Sequence, residues 1–174
     1  MIVDRARTGD LDAFELIVRA RMDAVYRLTS AILGDEADAR DAAQEAFVAA
    51  WRELPRIREP DKFDAWLQRI AVNASRMTLR ARGRRRVREI PSSEIATLAS
   101  AFGPDDRSDA GALQRAMDRL DVDQRAILVL HHLDSRPLAE IAAMLEIPVG
   151  TAKSRLFHAR RALEAALNAE EGDR

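Results

Sequence analysis

The sequence predicts an all-α protein of two small helical domains joined by a flexible linker, and three observations carry that prediction. The first is composition: of 174 residues 47% are hydrophobic but only 5% aromatic, with few Gly and Pro, which describes helices packed through Ala and Leu. The second is periodicity, since apolar residues recur at helical spacing and no sustained alternation marks a strand. The third is a break, from about Arg84 to Gly111, where the pattern dissolves into RRRVREIPSSEIATLASAFGPDDRSDAG. Pro91, Ser92, Ser93, Gly103 and Pro104 are loop signals there. A loop of this length is unusual inside one compact domain, so domains are placed at 1–83 and 112–168, a linker at 84–111 and a tail at 169–174. Within the linker, Ile95, Leu98 and Phe102 are spaced to form a short docking helix.

In the first domain a helix is expected from Asp10, a good N-cap, to Leu33, with Gly34 as its stop. Phe14, Ile17, Val25, Leu28 and Ile32 mark its buried side. Asp35 caps the next helix, which runs to about Leu54 and halts at Pro55. Its core stripe is Ala43, Phe47, Ala50, Trp51 and Leu54. The other side presents Asp38, Asp41, Gln44, Glu45 and Val48. The segment Asp35–Glu45 carries a net charge of −4 over eleven residues. Acids near a helix N-terminus account for part of that; a solvated acidic face and a docking site for a basic partner both remain open.

A short loop at Arg56–Lys62, with Pro60 as breaker, leads to a third helix, FDAWLQRIAVNASRMTLRARGRRR. Phe63, Trp66, Leu67, Ile70, Ala74 and Met77 are its expected buried face, with Arg69, Asn73, Arg76 and Arg80 together on the opposite one. Arg76–Arg88 holds seven Arg and no acid. Arg and Asn suit phosphates and base edges, and the neighbouring loop suits an unstacked base. The plainer account is an exposed helix in an Arg-rich chain, which has 26 Arg against two Lys.

The second domain opens with a helix from Ala112 to Leu120 and another from Asp123 to Leu133, with Ala126, Ile127, Leu130 and Leu133 apolar. His131 and His132 are adjacent on a helix and point apart, so they make no metal pair and are read as structural, His132 partly buried. The stretch Ser135–Leu163 then shows two amphipathic patterns meeting at Glu146-Ile147-Pro148. Leu138, Ile141, Ala142 and Leu145 belong to the first, Ala152, Leu156, Ala159 and Leu163 to the second. Pro137 suits a first helical turn, and Pro148 separates the two. This is the outline of a helix-turn-helix, whose second helix lies in a DNA major groove. That helix has Lys153, Arg155, His158, Arg160 and Arg161 and no acid from Val149 to Leu163. A solvated helix face normally mixes signs, so the pattern favours DNA.

Several classes are excluded or disfavoured by the whole. The chain has no cysteine, which removes disulfides and thiolate metal sites. The start, MIVDRARTGDLD, lacks the apolar core of a signal peptide, and no apolar run approaches the roughly 20 residues of a membrane helix, so a soluble cytoplasmic protein is expected. An enzyme would need a convergent catalytic group, and neither metal-spaced histidines nor a glycine-rich phosphate loop is seen; no cofactor is expected. A one-component helix-turn-helix repressor would bind duplex palindromes as a dimer. The acidic face and the long linker count against it.

Taken in order, Gly9-Asp10 with Ala13-Phe14, DARDAAQEAFVAAWRELPRI (38–57), FDAWLQRIAVNASR (63–76), DQRAILVLHHL (123–133) and EIAAMLEIPVGTAKSRLFHARRAL (140–163) resemble an extracytoplasmic-function sigma factor, of the smallest class in the bacterial sigma-70 family. The resemblance covers nearly the entire chain apart from the linker. It implies a region-2 domain followed by a region-4 domain, and as partners core RNA polymerase (β′ clamp and β flap), promoter DNA and an anti-sigma factor. It assigns Asp38, Asp41, Gln44 and Glu45 to polymerase. Arg58, Lys62, Arg69, Asn73, Arg76 and Arg80 fall to the −10 element, where strands melt and flipped bases are captured. Lys153, Ser154, Phe157 and His158 match positions facing −35 bases, with Arg155, Arg160, Arg161 and Thr151 better suited to phosphates. The chain departs from the family pattern at four places. Glu146 stands where the turn usually has Gly, and a left-handed conformation kept there costs about 1 kcal/mol. Pro137 replaces a Ser cap, Ala152 replaces a larger aliphatic residue, and Asp121-Val122-Asp123 replaces a Pro-containing helix start.

Overall fold

The computed structural model describes residues 2–89, 109–132 and 135–172, and every regular element among them is helical. The expected docking helix at Ile95, Leu98 and Phe102, and the apolar Leu133, lie outside the described residues.

Helix α1 (Ile2–Arg7) precedes the first helix expected from the sequence. It buries Ala6 alone, so no periodic stripe announces it. Gly9, at φ 95°, turns the chain into α2 (Leu11–Leu33). Asp10 caps that helix by accepting the Ala13 N–H at 2.9 Å and Arg5 Nε–H at 2.9 Å. Those hydrogen bonds, the Ala13 one first, hold its carboxyl below the ordinary value. α2 stops at Gly34, whose φ of 71° is left-handed. Asp35 then accepts the Asp38 N–H at 2.8 Å and opens α3 (Glu36–Glu53). Ala43, Phe47, Ala50 and Leu54 are buried as expected. The rings of Trp51 and Phe14 meet at 4.8 Å to close one side of the α2–α3 seam.

The loop expected at 56–62 is instead two short 3-10 turns, Leu54–Arg56 and Pro60–Lys62, around an open stretch at Ile57–Glu59. Buried Leu54, Ile57 and Phe63 anchor this path from beneath. α4 (Phe63–Glu89) continues six residues into the expected linker. Its buried arc is wider than the sequence stripe: Ala71, Val72 and Ser75 are fully buried beside Leu67 and Ile70. Met77, placed in the core by spacing, is 60% exposed and lines a groove between α3 and α4. A helix covered by neighbours on two sides does not show a single apolar stripe.

The carboxy-terminal half comprises α5 (Asp109–Asp118), α6 (Val122–His132), α7 (Leu138–Met144) and α8 (Val149–Gly172). α5 begins three residues earlier than Ala112, and α8 runs on through most of the expected tail. The cause of the second is visible: Glu170 accepts from Arg115 Nε at 2.6 Å and Arg119 Nη2 at 2.5 Å, tying the last turn of α8 to α5. The Arg115 hydrogen bond and the two cations hold the Glu170 carboxyl below its ordinary value. The start of α6 is a capping box. Asp121 Oδ1 accepts the Gln124 N–H at 2.8 Å while Gln124 Oε1 accepts the Asp121 N–H at 3.1 Å. An acid and an amide here replace the usual proline without losing the helix start. His132, expected to be partly buried, is exposed, and His131 is half-buried; their rings touch edge to face at 4.9 Å.

α6 packs on α2 and α4, and α7 on α4, so the buried apolar residues of both halves form one continuous cluster. Arg125, only 8% exposed, sits in that seam. It donates to the carbonyls of Asp118 at 2.8 Å, Leu120 at 3.1 Å and, across the seam, Ile32 at 3.3 Å. Burial pushes its pKa down and the nearby Asp118 carboxylate opposes the shift. Arg125→Ala strands these carbonyls and is expected to cost about 3 kcal/mol, read as a lower urea midpoint in equilibrium unfolding.

Candidate nucleic-acid interface

The helix-turn-helix is built by α7, a tight turn and α8. Pro137 takes the N-cap position of α7, one place before the first turn, with no side-chain cap. Arg136 bridges that turn instead, 2.9 Å from Glu140. At the other end the Ile147 N–H donates to Ala142 O at 3.0 Å and the Glu146 N–H to Ala143 O at 3.3 Å. This is a Schellman motif with Glu146 at the left-handed position, φ 56°. The conformation usual for glycine is therefore kept, at a cost of about 1 kcal/mol.

α8 separates its faces cleanly. Ala152, Leu156 and Ala159 are buried against the other helices, Ala152 completely. Lys153, Ser154, Phe157, His158, Arg160 and Arg161 are exposed, and Thr151 is half-buried in the first turn. Because rows at i, i+4 and i, i+3 align, Lys153, Phe157 and Arg160 form one ridge and Ser154, His158 and Arg161 the next. Phe157 is 56% exposed, with the Arg161 guanidinium 6.0 Å from its ring centre and the His158 ring edge-on at 5.5 Å. Arg160 Nε donates to His132 Nε2 at 3.4 Å. Desolvation, then the Arg160 and His131 charges, push the pKa of His132 below its ordinary value. Arg155 alone among these cations turns inward, 3.5 Å from Asp123.

On α4 the expected basic row is present but unequal. Asn73 and Arg80 are exposed, as are Arg58 in the open stretch and Lys62 on the turn before α4; Lys62 pairs with Glu59 at 2.9 Å. Arg69 and Arg76 are half-buried and paired with acids of the other half, Glu146 and Asp123, each at 2.6 Å. On α3, Asp41, Gln44 and Glu45 are exposed. Asp38 is drawn aside to Arg82 at 3.3 Å. An apolar groove lined by Phe14, Val18, Met22, Phe47 and Trp51 runs beside Gln44 and Val48.

Sequence reasoning missed Asp123, Arg125 and Glu170 as partners across helices. The first two stand among apolar residues of α6, and a charge in that setting is the available signal that it has a partner. Among the described residues no group of three or more His, Asp or Glu is arranged to hold a metal, and no helix is long and apolar enough to cross a membrane.

Comparison with known proteins assigns both halves. Residues 17–85 match Sigma-70 region 2, and residues 110–163 match Sigma-70 region 4. The RNA polymerase sigma-H factor of Pseudomonas aeruginosa is 34% identical over 181 residues, covering 95% of this chain and 92% of that protein. The ECF RNA polymerase sigma-E factor of Escherichia coli K12 is 34% identical over 183 residues, covering 94% and 91%. Among solved structures, CnrH in complex with the cytosolic domain of CnrY is similar at a TM-score of 0.66 and 30% identity, over 97% of this chain and 96% of that one. The sigma factor RpoE, solved with the anti-sigma factor NepR from Bartonella quintana, shares the fold at a TM-score of 0.69 and 23% identity, over 91% and 98%. With a region-2 half, a region-4 helix-turn-helix and relatives matched along nearly their whole length, the chain belongs to the extracytoplasmic-function group of the sigma-70 family, the sigma factors that bring RNA polymerase to promoters to begin transcription.

Proposed function

We propose that the two halves divide promoter recognition as the charge distribution divides the surface. α8 reads the −35 element in the major groove, with Lys153, Ser154, Phe157 and His158 toward base edges. Thr151, Arg160, Arg161 and, once released from Asp123, Arg155 contact phosphates. α4 and the turns before it take the −10 element: Asn73 and Arg69 for bases, and Arg58, Lys62, Arg76 and Arg80 for the backbone. Strand opening then follows from binding, because a flipped base is held only after it has left the stack. The acidic face of α3, through Asp38, Asp41, Gln44 and Glu45, docks on the β′ clamp of core polymerase, and the region-4 half lies on the β flap. The observation that carries this reading is charge segregation. One exposed helix face bears cations and hydroxyls without an acid, and another bears Asp41 and Glu45, with Arg40 paired to Glu36 at 2.6 Å and Arg52 set apart in the last turn of α3.

The chain performs no chemistry of its own in this reading; the polymerase does, in the bacterial cytoplasm. A sequestering anti-sigma factor is part of the proposal, supported by CnrH having been solved with the cytosolic domain of CnrY bound. Run-off transcription by core polymerase, with and without this chain on sheared chromosomal DNA, tests the whole. New start sites sharing two boxes are expected only when both are present. Unchanged initiation, with no co-elution of chain and core, would overturn the proposal.

A further inference from the structure

Two acids of the carboxy-terminal half reach across to the basic face of α4. Glu146 Oε1 accepts from Arg69 Nη1 at 2.6 Å. Asp123 Oδ1 lies 2.6 Å from both Nε and Nη2 of Arg76, and its Oδ2 is 3.5 Å from Arg155 Nη1. Arg69 and Arg76 stand two turns apart on one face of α4 with Asn73 between them. The Arg76 side chain is only 16% exposed. The dipole of α6 favours Asp123 in its first turn, but neither acid is needed as a cap. Glu146 occupies a left-handed position that glycine fills without strain, and Asp123 follows a cap already made by Asp121 and Gln124. What both do is place carboxylate oxygens where a guanidinium would otherwise meet a phosphate, with the same charge and the same acceptor geometry.

We propose that Asp123 and Glu146 form an intramolecular latch: in the free chain they occupy Arg76 and Arg69, and α4 engages DNA only after they are released. The inference rests on the reading of α4 as the −10 face. The outer pair suits a latch more than a permanent joint, and both pairs act on top of the apolar seam that joins the halves. With Glu146 69% exposed and Arg69 32%, that bridge is weak and screened by salt, so separation of the halves on polymerase breaks it readily. Asp123 adds economy, since one carboxylate draws a cation from α4 and another from α8. Closing the halves therefore withdraws charge from both proposed DNA surfaces together.

The test is a chain carrying Asp123→Asn with Glu146→Gln, spin-labelled at cysteines placed at the exposed Arg52 and Asn168 of an otherwise cysteine-free protein. Pulsed electron resonance is expected to show one narrow distance for the parent and a longer, broader distribution for the variant. The free variant is also expected to bind a premelted −10 bubble about tenfold more tightly than the parent. A control that removes equal charge elsewhere, Glu140→Gln with Glu164→Gln, should gain little. Unchanged distances, or a gain equalled by the control, would overturn the latch. Glu146→Gly keeps the result clear of folding, because it removes the carboxylate and the left-handed strain together and should still loosen the closed form. Arg69→Glu combined with Glu146→Arg should restore the short distance. If distances lengthen without tighter bubble binding, Asn73→Ala in the polymerase-bound chain separates the two failures. Loss of bubble binding there keeps the −10 reading and discards the latch; normal binding discards the −10 reading, and the latch with it.

Discussion

Reversing both charges on α3, Asp41→Lys with Glu45→Lys, is expected to weaken capture by core polymerase by at least about 100-fold, because like charges set against each other across an interface cost several kcal/mol. Both side chains are exposed and stand one turn apart on the same face. Neither lies in the first turn of α3, where the helix dipole would favour an acid. Stability should therefore move by no more than about 0.5 kcal/mol, as for ordinary surface substitutions. Co-elution with core enzyme measures the first quantity and a thermal melt the second. Normal co-elution would remove α3 from the interface. A large fall in melting temperature would mean that the face contributes to the fold instead. Asp38 is the poorer choice for this experiment, because its carboxylate is 3.3 Å from Arg82 and its N–H is capped by Asp35.

The second large effect is expected at the opposite pole of the molecule. Lys153→Glu puts an acid on the ridge shared with Phe157 and Arg160, at an exposed position in the second turn of α8. In the polymerase-bound chain, duplex DNA carrying the −35 element should bind about 10- to 100-fold more weakly, with a shallower salt dependence. A premelted −10 bubble lacking the −35 box should bind nearly as before, since α4 is untouched. Equal losses on both templates would contradict the division of labour between the halves. Arg155→Glu is the informative contrast. Arg155 already faces Asp123 at 3.5 Å, so its reversal disturbs the seam between the halves as well as any phosphate contact.

Much of this was legible because it is local. Asp10, Gly34 and Asp35 punctuate the first two helices through hydrogen bonds and a backbone torsion that involve neighbours within four residues. The same holds for the break at Glu146-Ile147-Pro148, where the left-handed turn survives the loss of glycine because the Schellman hydrogen bonds close around it. The exposed ridge of α8 follows from three buried residues at helical spacing. Where the reading failed, the cause was a partner distant in sequence. Met77 has the right spacing for the core, yet it faces the groove between α3 and α4. Ala71, Val72 and Ser75 become interior instead. The tail expected after residue 168 is helix because Arg115 and Arg119 hold Glu170 from fifty residues away.

The order of amino acids by itself determined the long helices, the caps at Asp10, Gly34 and Asp35, the helix-turn-helix and the separation of acidic from basic surfaces. All of these depend on spacing within one element or on charge density along it. Only the tertiary structure decided which charges remain available. Arg69, Arg76 and Arg155 look equivalent to Arg80 and Arg161 in the sequence, but the first three are each matched by a carboxylate brought close by packing of α6 and α7 against α4. The physical reason is that ion pairing depends on distances of a few ångströms between elements, and periodicity along a single helix carries no information about them.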